Sequence, residues 1–408
     1  MSELIKLEMK KLYKSSITRI TLLGSILFII FLMLFASTYE GYCANERPIT
    51  SEERARISKA KENMNSFAGY INDIWANNIF AQEEEQIQLL LQNPDNLMSD
   101  EEKQQIYGSQ EITDSRMLIR NELYNKYLDK YESVHFWSNY YERAENTRQV
   151  IIETERNRYS GSALLKAEDL INQMFDNIQK HEAYYDYNYG WHRLRNVHEF
   201  FSYSLIIAVL AGLAPLFASE GSYNTESLVL SNKSGRNRDI IAKLIAGFIF
   251  AISTWLIYET INLIIVGIFY GFEGGNTVWQ DWVVFYAPYL LNNMQFSVVT
   301  ILTSFMGVIY TSTVIMFISA ICNSQYGSIV ISAVMLYLVN LILGPSIEGL
   351  SPIWMTQGFL MWRSFTVDVI LGVAIPRQVV ALLFSAVLSV FFVVAAYYII
   401  RRKEISGS

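Results

Sequence analysis

Six stretches of this chain are long enough and free enough of charge to cross a bilayer. That constraint decides its class before any motif is read. A bilayer core about 30 Å thick takes about 20 apolar residues of helix. Ile20–Tyr39 and Phe200–Ser219 carry no charge, and Leu244–Tyr270 carries only Glu259. Phe296–Cys322 and Tyr326–Leu343 are uncharged around a short break at Asn323-Ser324-Gln325, and Val379–Ile400 stops at Arg401-Arg402-Lys403. Charged residues make up 17% of the 408, against about 25% in soluble proteins. Of the 39 acids and 32 bases, 28 and 18 fall within residues 40–199. One ordinary soluble domain, a disordered chain and a disulfide scaffold are excluded. The expected fold class is an all-α membrane protein: six transmembrane helices with a helical extracytoplasmic domain inserted between the first and second. A net charge of −7 gives no reason to expect nucleic acid as a partner.

Basic residues near the span ends set the orientation. Residues 1–19 carry Lys6, Lys10, Lys11, Lys14 and Arg19, the loop 220–243 carries Lys233, Arg236, Arg238 and Lys243, and the tail 401–408 carries Arg401, Arg402 and Lys403. The alternate loops are poorer: 271–295 has no Lys or Arg, and 344–378 has Arg363 and Arg377. Both termini are therefore expected on the cytoplasmic side of the cell membrane, with residues 40–199 outside. The first apolar stretch is too long for a cleaved signal core and no A-x-A site follows it, so it reads as a retained anchor.

The insert has helical grammar. Thr50-x-x-Glu53 and Ser99-x-x-Glu102 fit capping boxes. From Asp114 to Arg158 an apolar stripe through Leu123, Tyr127, Tyr131, Val134, Trp137 and Tyr141 predicts one long helix. Ser160-Gly161-Ser162 is a turn, and Leu164, Ile171, Met174 and Ile178 repeat the stripe. An antiparallel helical hairpin is expected, its return helix running into the second span with a break near Gly190. Glu182–His192 (EAYYDYNYGWH) is rich in aromatics and reads either as a binding surface or as a belt at the membrane interface, with the belt favoured. His181, Asp186, His192 and His198 do not stack on one helical face, which argues against a metal site. Cys43 and Cys322 fall on opposite sides and cannot pair; Cys43 bridges two subunits or is free.

On the cytoplasmic side, Leu4, Ile5, Met9, Leu12 and Tyr13 oppose Lys6, Lys10 and Lys11. That predicts an amphipathic helix lying in the membrane interface, its lysines drawn to anionic lipid. After the second span comes Glu220, then Thr225, Leu228, Leu230, Ser231, Ser234, Arg236 and Lys243. Caps surround a short apolar knob suited to pressing into a groove on a partner. There is no P-loop, kinase or nucleophile-elbow signature and no catalytic constellation, so the chain reads as a conduit, receptor or scaffold rather than an enzyme.

The six spans, the amphipathic leading helix and this loop resemble the permease subunit of type-2 ABC exporters. The resemblance covers the spans, about 60% of the chain. It implies that Glu220, Thr225, Leu228, Leu230, Ser231, Ser234, Arg236 and Lys243 belong to a coupling helix docking on an ATPase. Asn224 stands where the family has Gly, Asn232 where it has Pro, and Gly235 is an extra residue. Also implied are a homo- or heterodimer of permeases, a separate pair of ATPase subunits carrying ATP and Mg, no cofactor in this chain, and an amphipathic peptide, antimicrobial or lipid as cargo. A membrane scaffold or receptor presenting the external helices to a partner is the alternative.

Two further features complete the reading. An acid at a helix centre costs about 2.5–3.5 kcal/mol on the insertion scale, so Glu259, with Asn262 one turn on, lines a pathway or a subunit interface, or sits hydrated near the outer boundary. The apolar loop 344–378, broken by Pro345, Pro352 and Pro376, suggests helices that dip part-way in from outside. The resemblance implies the same.

Overall fold

The structure, a computed structural model, describes residues 1–35, 51–66, 68–78, 137–222, 236–280, 287–343 and 351–406. Six of its helical segments are long and apolar enough to cross a membrane: Ser16–Leu34, Phe201–Ser219, Asn237–Phe269, Asn293–Ile321, Gln325–Ile342 and Arg377–Arg402. The chain is a mostly helical, multi-pass membrane protein.

At the N-terminus, α1 (Ser2–Lys14) keeps Lys6, Lys10, Lys11 and Lys14 exposed and buries Leu12. Its apolar face meets a helix rather than lipid alone: Tyr13 packs on Phe250 with ring centroids 5.2 Å apart, and its hydroxyl lies 2.6 Å from Ser253 Oγ. The first crossing, α2 (Ser16–Phe35), starts four residues before the apolar run, because Ser16–Arg19 already follow the helix.

Between the first two crossings lie α3 (Ser51–Asn65), β1 (Gly69–Tyr70), α4 (Tyr140–Arg156), α5 (Gly161–Lys180) and β2 (Tyr184–Tyr185). The expected helical hairpin is α4 and α5, turning at Gly161, whose φ is +59°. The long helix from Asp114 does not run unbroken: α4 begins at Tyr140, after Asn139 leaves helical geometry, and 114–136 lie outside the described residues. So do Thr50, Ser99 and Cys43. Ile151, Ala167, Ile171, Phe175 and Ile178 form the hairpin's core with Trp75, Trp137 and Tyr185.

The aromatic segment is neither an exposed surface nor a simple belt. Tyr184 and Tyr185 pair antiparallel with Tyr70 and Gly69, Tyr185 is buried against Trp75 and Trp137, and Tyr187 is fully buried. These residues form the joint between insert and bundle. The break in the chain therefore falls at 181–188, and Gly190 lies inside the next helix, α6 (Tyr189–Leu213). Helix–turn contact explains the glycine: a Cβ at Gly190 would stand 1.8 Å from the Gly271 carbonyl oxygen. Tyr187 Oη donates to Tyr270 O (3.0 Å), and Trp191 Nε1 donates to Glu273 O (3.0 Å). Lys61 pairs with the Glu273 carboxylate and holds it below the usual carboxylate range.

The second crossing is two helices. Ala214 separates α6 from α7 (Pro215–Ser222). Proline has no N–H, which leaves the carbonyl four residues back without its donor; Thr18 Oγ1 of α2 approaches that carbonyl, Ala211 O, at 3.4 Å. Ser319 then enters the ladder from a neighbouring helix. Its hydroxyl donates to Ala214 O (2.7 Å) and accepts from Phe217 N (3.0 Å) and Ala218 N (3.3 Å).

The third crossing, α8 (Arg236–Phe269), has 34 residues, about 51 Å at 1.5 Å per residue. It begins eight residues before Leu244, so the last third of the presumed loop 220–243 is helix, with Asp239 and Lys243 paired one turn apart. Then follow α9 (Asn293–Ile321), closed at its start by an Asn292–Gln295 capping box, and α10 (Gln325–Leu343). Cys322 caps α9, half-buried and free.

Residues 351–376 depart from an all-helical reading. Two short helices, α11 (Pro352–Gln357) and α12 (Phe359–Arg363), are followed by a hairpin of β3 (Val367–Ile370) and β4 (Val373–Pro376). Its two-residue turn has Leu371 at φ +51° and Gly372 at +79°, which matches the twist of paired strands. The sixth crossing, α13 (Arg377–Ser406), starts directly after it.

The hairpin clasps the insert. Asp368 accepts from both Arg158 (2.9 Å) and Arg377 (3.0 Å), and the buried Glu155 accepts from Arg158 and from Val367 N. Burial alone would raise the Asp368 carboxyl, but the two guanidiniums prevail and hold it below its ordinary value of 3.8. An acid held low stabilises the fold above its unfolded value and loses that contribution as pH falls through its lowered value. The stability gap between wild type and Asp368→Asn should thus be constant at neutral pH and shrink as pH drops from about 4, read by thermal melts across a pH series. Gly190→Ala should cost about 3 kcal/mol, at the upper end of overpacking, because a backbone carbonyl cannot step aside. Gly327→Ala, with nothing nearer than 3.6 Å, is the control in the same melting assay.

Candidate functional site: a buried polar cluster in the bundle

Consecutive crossings run antiparallel, so residues equally far from the insert end share a depth. His198 lies nine residues after the start of α6, and Glu259 ten before the end of α8. They meet: His198 Nε2 stands 3.1 Å from Glu259 Oε2. Exposure is 0% for His198, 4% for Glu259 and 0% for both Asn262 and Thr254. The imidazole and carboxylate are close but out of line for a hydrogen bond. Both ring nitrogens, both carboxylate oxygens, the Asn262 amide and the Thr254 hydroxyl find no hydrogen-bond partner among the described residues. Apolar rings wall the cluster: Phe201 lies 5.1 Å from His198 and 5.3 Å from Tyr258, whose hydroxyl bonds Ser25 Oγ of α2.

One turn nearer the insert, α6 carries two buried arginines. Arg193 donates to Met33 O of α2 (3.0 Å) and faces the Tyr270 ring, and burial lowers its guanidinium's affinity for a proton. Arg195 donates to Asn293 Oδ1 and lies over the rings of Phe296 (5.9 Å) and Phe359 (6.0 Å). Asn293 in turn donates to Thr277 Oγ1 (2.7 Å). These contacts fix the rotation of α6 against α2, α9 and α12, and so aim His198 at α8.

Pro352–Arg363 packs along the middle of α9. Thr311 reaches Pro352 O (3.5 Å), and a Cβ at Gly307, the midpoint of α9, would stand 2.3 Å from Thr356 N. Gly358 lies against Thr300 O, Trp362 Nε1 donates to Thr303 Oγ1 (3.0 Å), and Phe359 packs on Phe296. The chain thus returns from Thr311 toward Phe296 alongside the fourth crossing, about 20 Å at 1.5 Å per residue of α9. Thr311, Thr356 and Trp362 are each bonded within protein in this packing, as polar groups at membrane depth require.

Of the residues singled out in the sequence, Glu259 and Asn262 are both buried one turn apart in α8, and His198 of α6 meets Glu259. Glu220 lies in α7 and Arg236 opens α8. Thr225, Leu228, Leu230, Ser231 and Ser234 lie outside the described residues. Lys243 is 2% exposed, with Nζ 2.7 Å from Asp239 Oδ2, so it is engaged within α8. No family model, curated protein or solved structure matches this chain.

Removing one member of a buried polar pair leaves the other unpartnered, whereas replacing both by apolar residues of similar shape is nearly neutral or stabilising. His198→Leu alone should cost about 1–3 kcal/mol. His198→Leu/Glu259→Leu should melt at or above the wild-type temperature. Additive losses in a double-mutant melting cycle would show that the two do not interact.

Proposed function

We propose that this chain is the membrane-spanning subunit of an ATP-driven exporter of the type-2 ABC class. It works as a dimer with two separate ATPase subunits, which carry ATP and Mg. On this reading the termini and the 223–235 segment face the cytoplasm, residues 40–199 face outward, and the cargo is an amphipathic peptide, an antimicrobial or a lipid.

The observation that carries this reading is the Ser319 bond into the α6–α7 break. Thr225, Leu228 and Leu230 fall in the stretch of sequence between α7 and α8, two elements that are already fastened. On one side α7 is tied to α9 by Ser319, and on the other α8 is one uninterrupted rod reaching the insert. A push on the segment would therefore reach the fourth crossing through α7 and the far end of the bundle through α8. The chain's own contribution is to receive and redirect that push; bond-breaking chemistry belongs to the ATPase. Glu259 and Asn262 then line the path or an interface between subunits, and Pro352–Arg363 closes its outer end.

Affinity-purified chain in mild detergent should bring a P-loop ATPase with it. Leu228→Asp/Leu230→Asp should lose that companion while melting at the wild-type temperature, since these residues are assigned to docking rather than to packing. A wild-type preparation that retains full activity with no nucleotide-hydrolysing partner would favour the scaffold alternative.

A further inference from the structure

We infer that the tip of the β3–β4 hairpin is a membrane anchor, lodged in the bilayer leaflet on the insert's side. The inference goes beyond the exporter reading and holds whichever side of the membrane the insert faces. In an antiparallel pair, opposite residues share a face and successive residues alternate between faces. Val369 and Ala374 oppose each other and pack on the insert's core, with the buried Val367 on the same side. The other face is made by the pairs Asp368–Ile375 and Ile370–Val373. Ile370 and Val373 are exposed, and Leu371 at the turn is wholly so. Leu371 also has φ +51°, at a turn position that favours Asn, Asp or Gly. An apolar side chain thus stands where hydration and backbone preference both ask for a polar one.

Three observations say what covers this face. The first is continuity with the lipid boundary. Arg377 N donates to Thr366 O, so the base of the hairpin is the start of the sixth crossing, with no linker between. At about 3.3 Å per strand residue, Leu371 lies within about 20 Å of that entry point. The insert covers the opposite face, and Asp368 of the exposed face bonds Arg377, which turns that face toward the crossing. Along α13 the exposure continues through Val379, Leu383 and Val387. The second is extent. Three exposed apolar side chains fall far short of the roughly 20–30 residues a side of a stable protein interface, whereas a leaflet takes up apolar groups in proportion to their area. The third is charge. Exposed Lys166 of α5 donates to Gly372 O at the tip, setting an ammonium beside the apolar side chains, as suits the headgroup boundary with its phosphates. Anchored in this way, the hairpin holds the α4–α5 end of the insert to the bilayer surface through Arg158 and Asp368.

The whole chain, carrying Cys43→Ser and Cys322→Ser, is labelled at Leu371→Cys with an environment-sensitive nitrobenzoxadiazole dye and placed in phosphatidylcholine nanodiscs. Val387→Cys on the exposed side of α13 and Asn146→Cys on the exposed side of α4 give the lipid and water references. A phospholipid with a nitroxide near the top of its acyl chain should quench the dye at Leu371→Cys strongly. Aqueous iodide should quench it less than at Asn146→Cys, and its emission should lie to the blue of that reference. Adding Ile370→Asn/Val373→Asn, both at exposed positions, should return the dye to iodide, which separates anchoring by the hairpin from partition of the dye itself. Iodide quenching equal to the water reference overturns the inference. So does protection from both quenchers, which would put protein on the tip, and so does nitroxide quenching that survives the added double substitution.

Discussion

Inside a bilayer a helix must satisfy its own backbone, and where it cannot, another part of the protein has to. That requirement governs the second crossing. Pro215 leaves Ala211 O without its donor, and Thr18 of α2 answers it; Ser319 of α9 covers the next gap at Ala214, Phe217 and Ala218. Three crossings are thereby bound at one break. Gly358 marks a second break, between α11 and α12, and it closes against the α9 backbone at Thr300. The bundle's irregular points are its best-connected ones.

The crossings were legible in the sequence because they depend only on length and lack of charge. Where the boundaries moved, as at Ser16 and Arg236, polar residues such as Asp239 and Lys243 supported the helix by pairing one turn apart. Hydropathy cannot see that. The α4–α5 hairpin was legible from two stripes and a glycine turn. The hairpin β3–β4 was not, because Pro376 and the apolar residues before it looked like more dipping helix, and only cross-strand pairing and the Asp368 clasp separate the two.

The site was half legible. Glu259 and Asn262 stand out as polar residues in an apolar run. By sequence proximity His198 belongs with His181 and His192, whereas its contact is 61 residues away on the next crossing. The usable signal was depth: antiparallel neighbours place residues at matching distances from a shared end. The aromatic run 182–192 is ambiguous in sequence for a related reason. Tyrosines near a span suit an interface belt by composition, but Tyr185 and Tyr187 are buried by strand pairing with Gly69–Tyr70 and by the turn at 270–275, both remote in sequence.

The insert grips the bundle at two separated places. One is the glycine-tight seam where Gly190 meets Gly271 at the head of the third crossing; the other is the Arg158–Asp368–Arg377 clasp at the head of the sixth. A body held at one point can pivot, whereas a body held at two transmits twist. Whatever binds or strains the α4–α5 hairpin is felt as torsion between the third and sixth helices, so the domain acts as a handle on the bundle rather than as a tethered ornament.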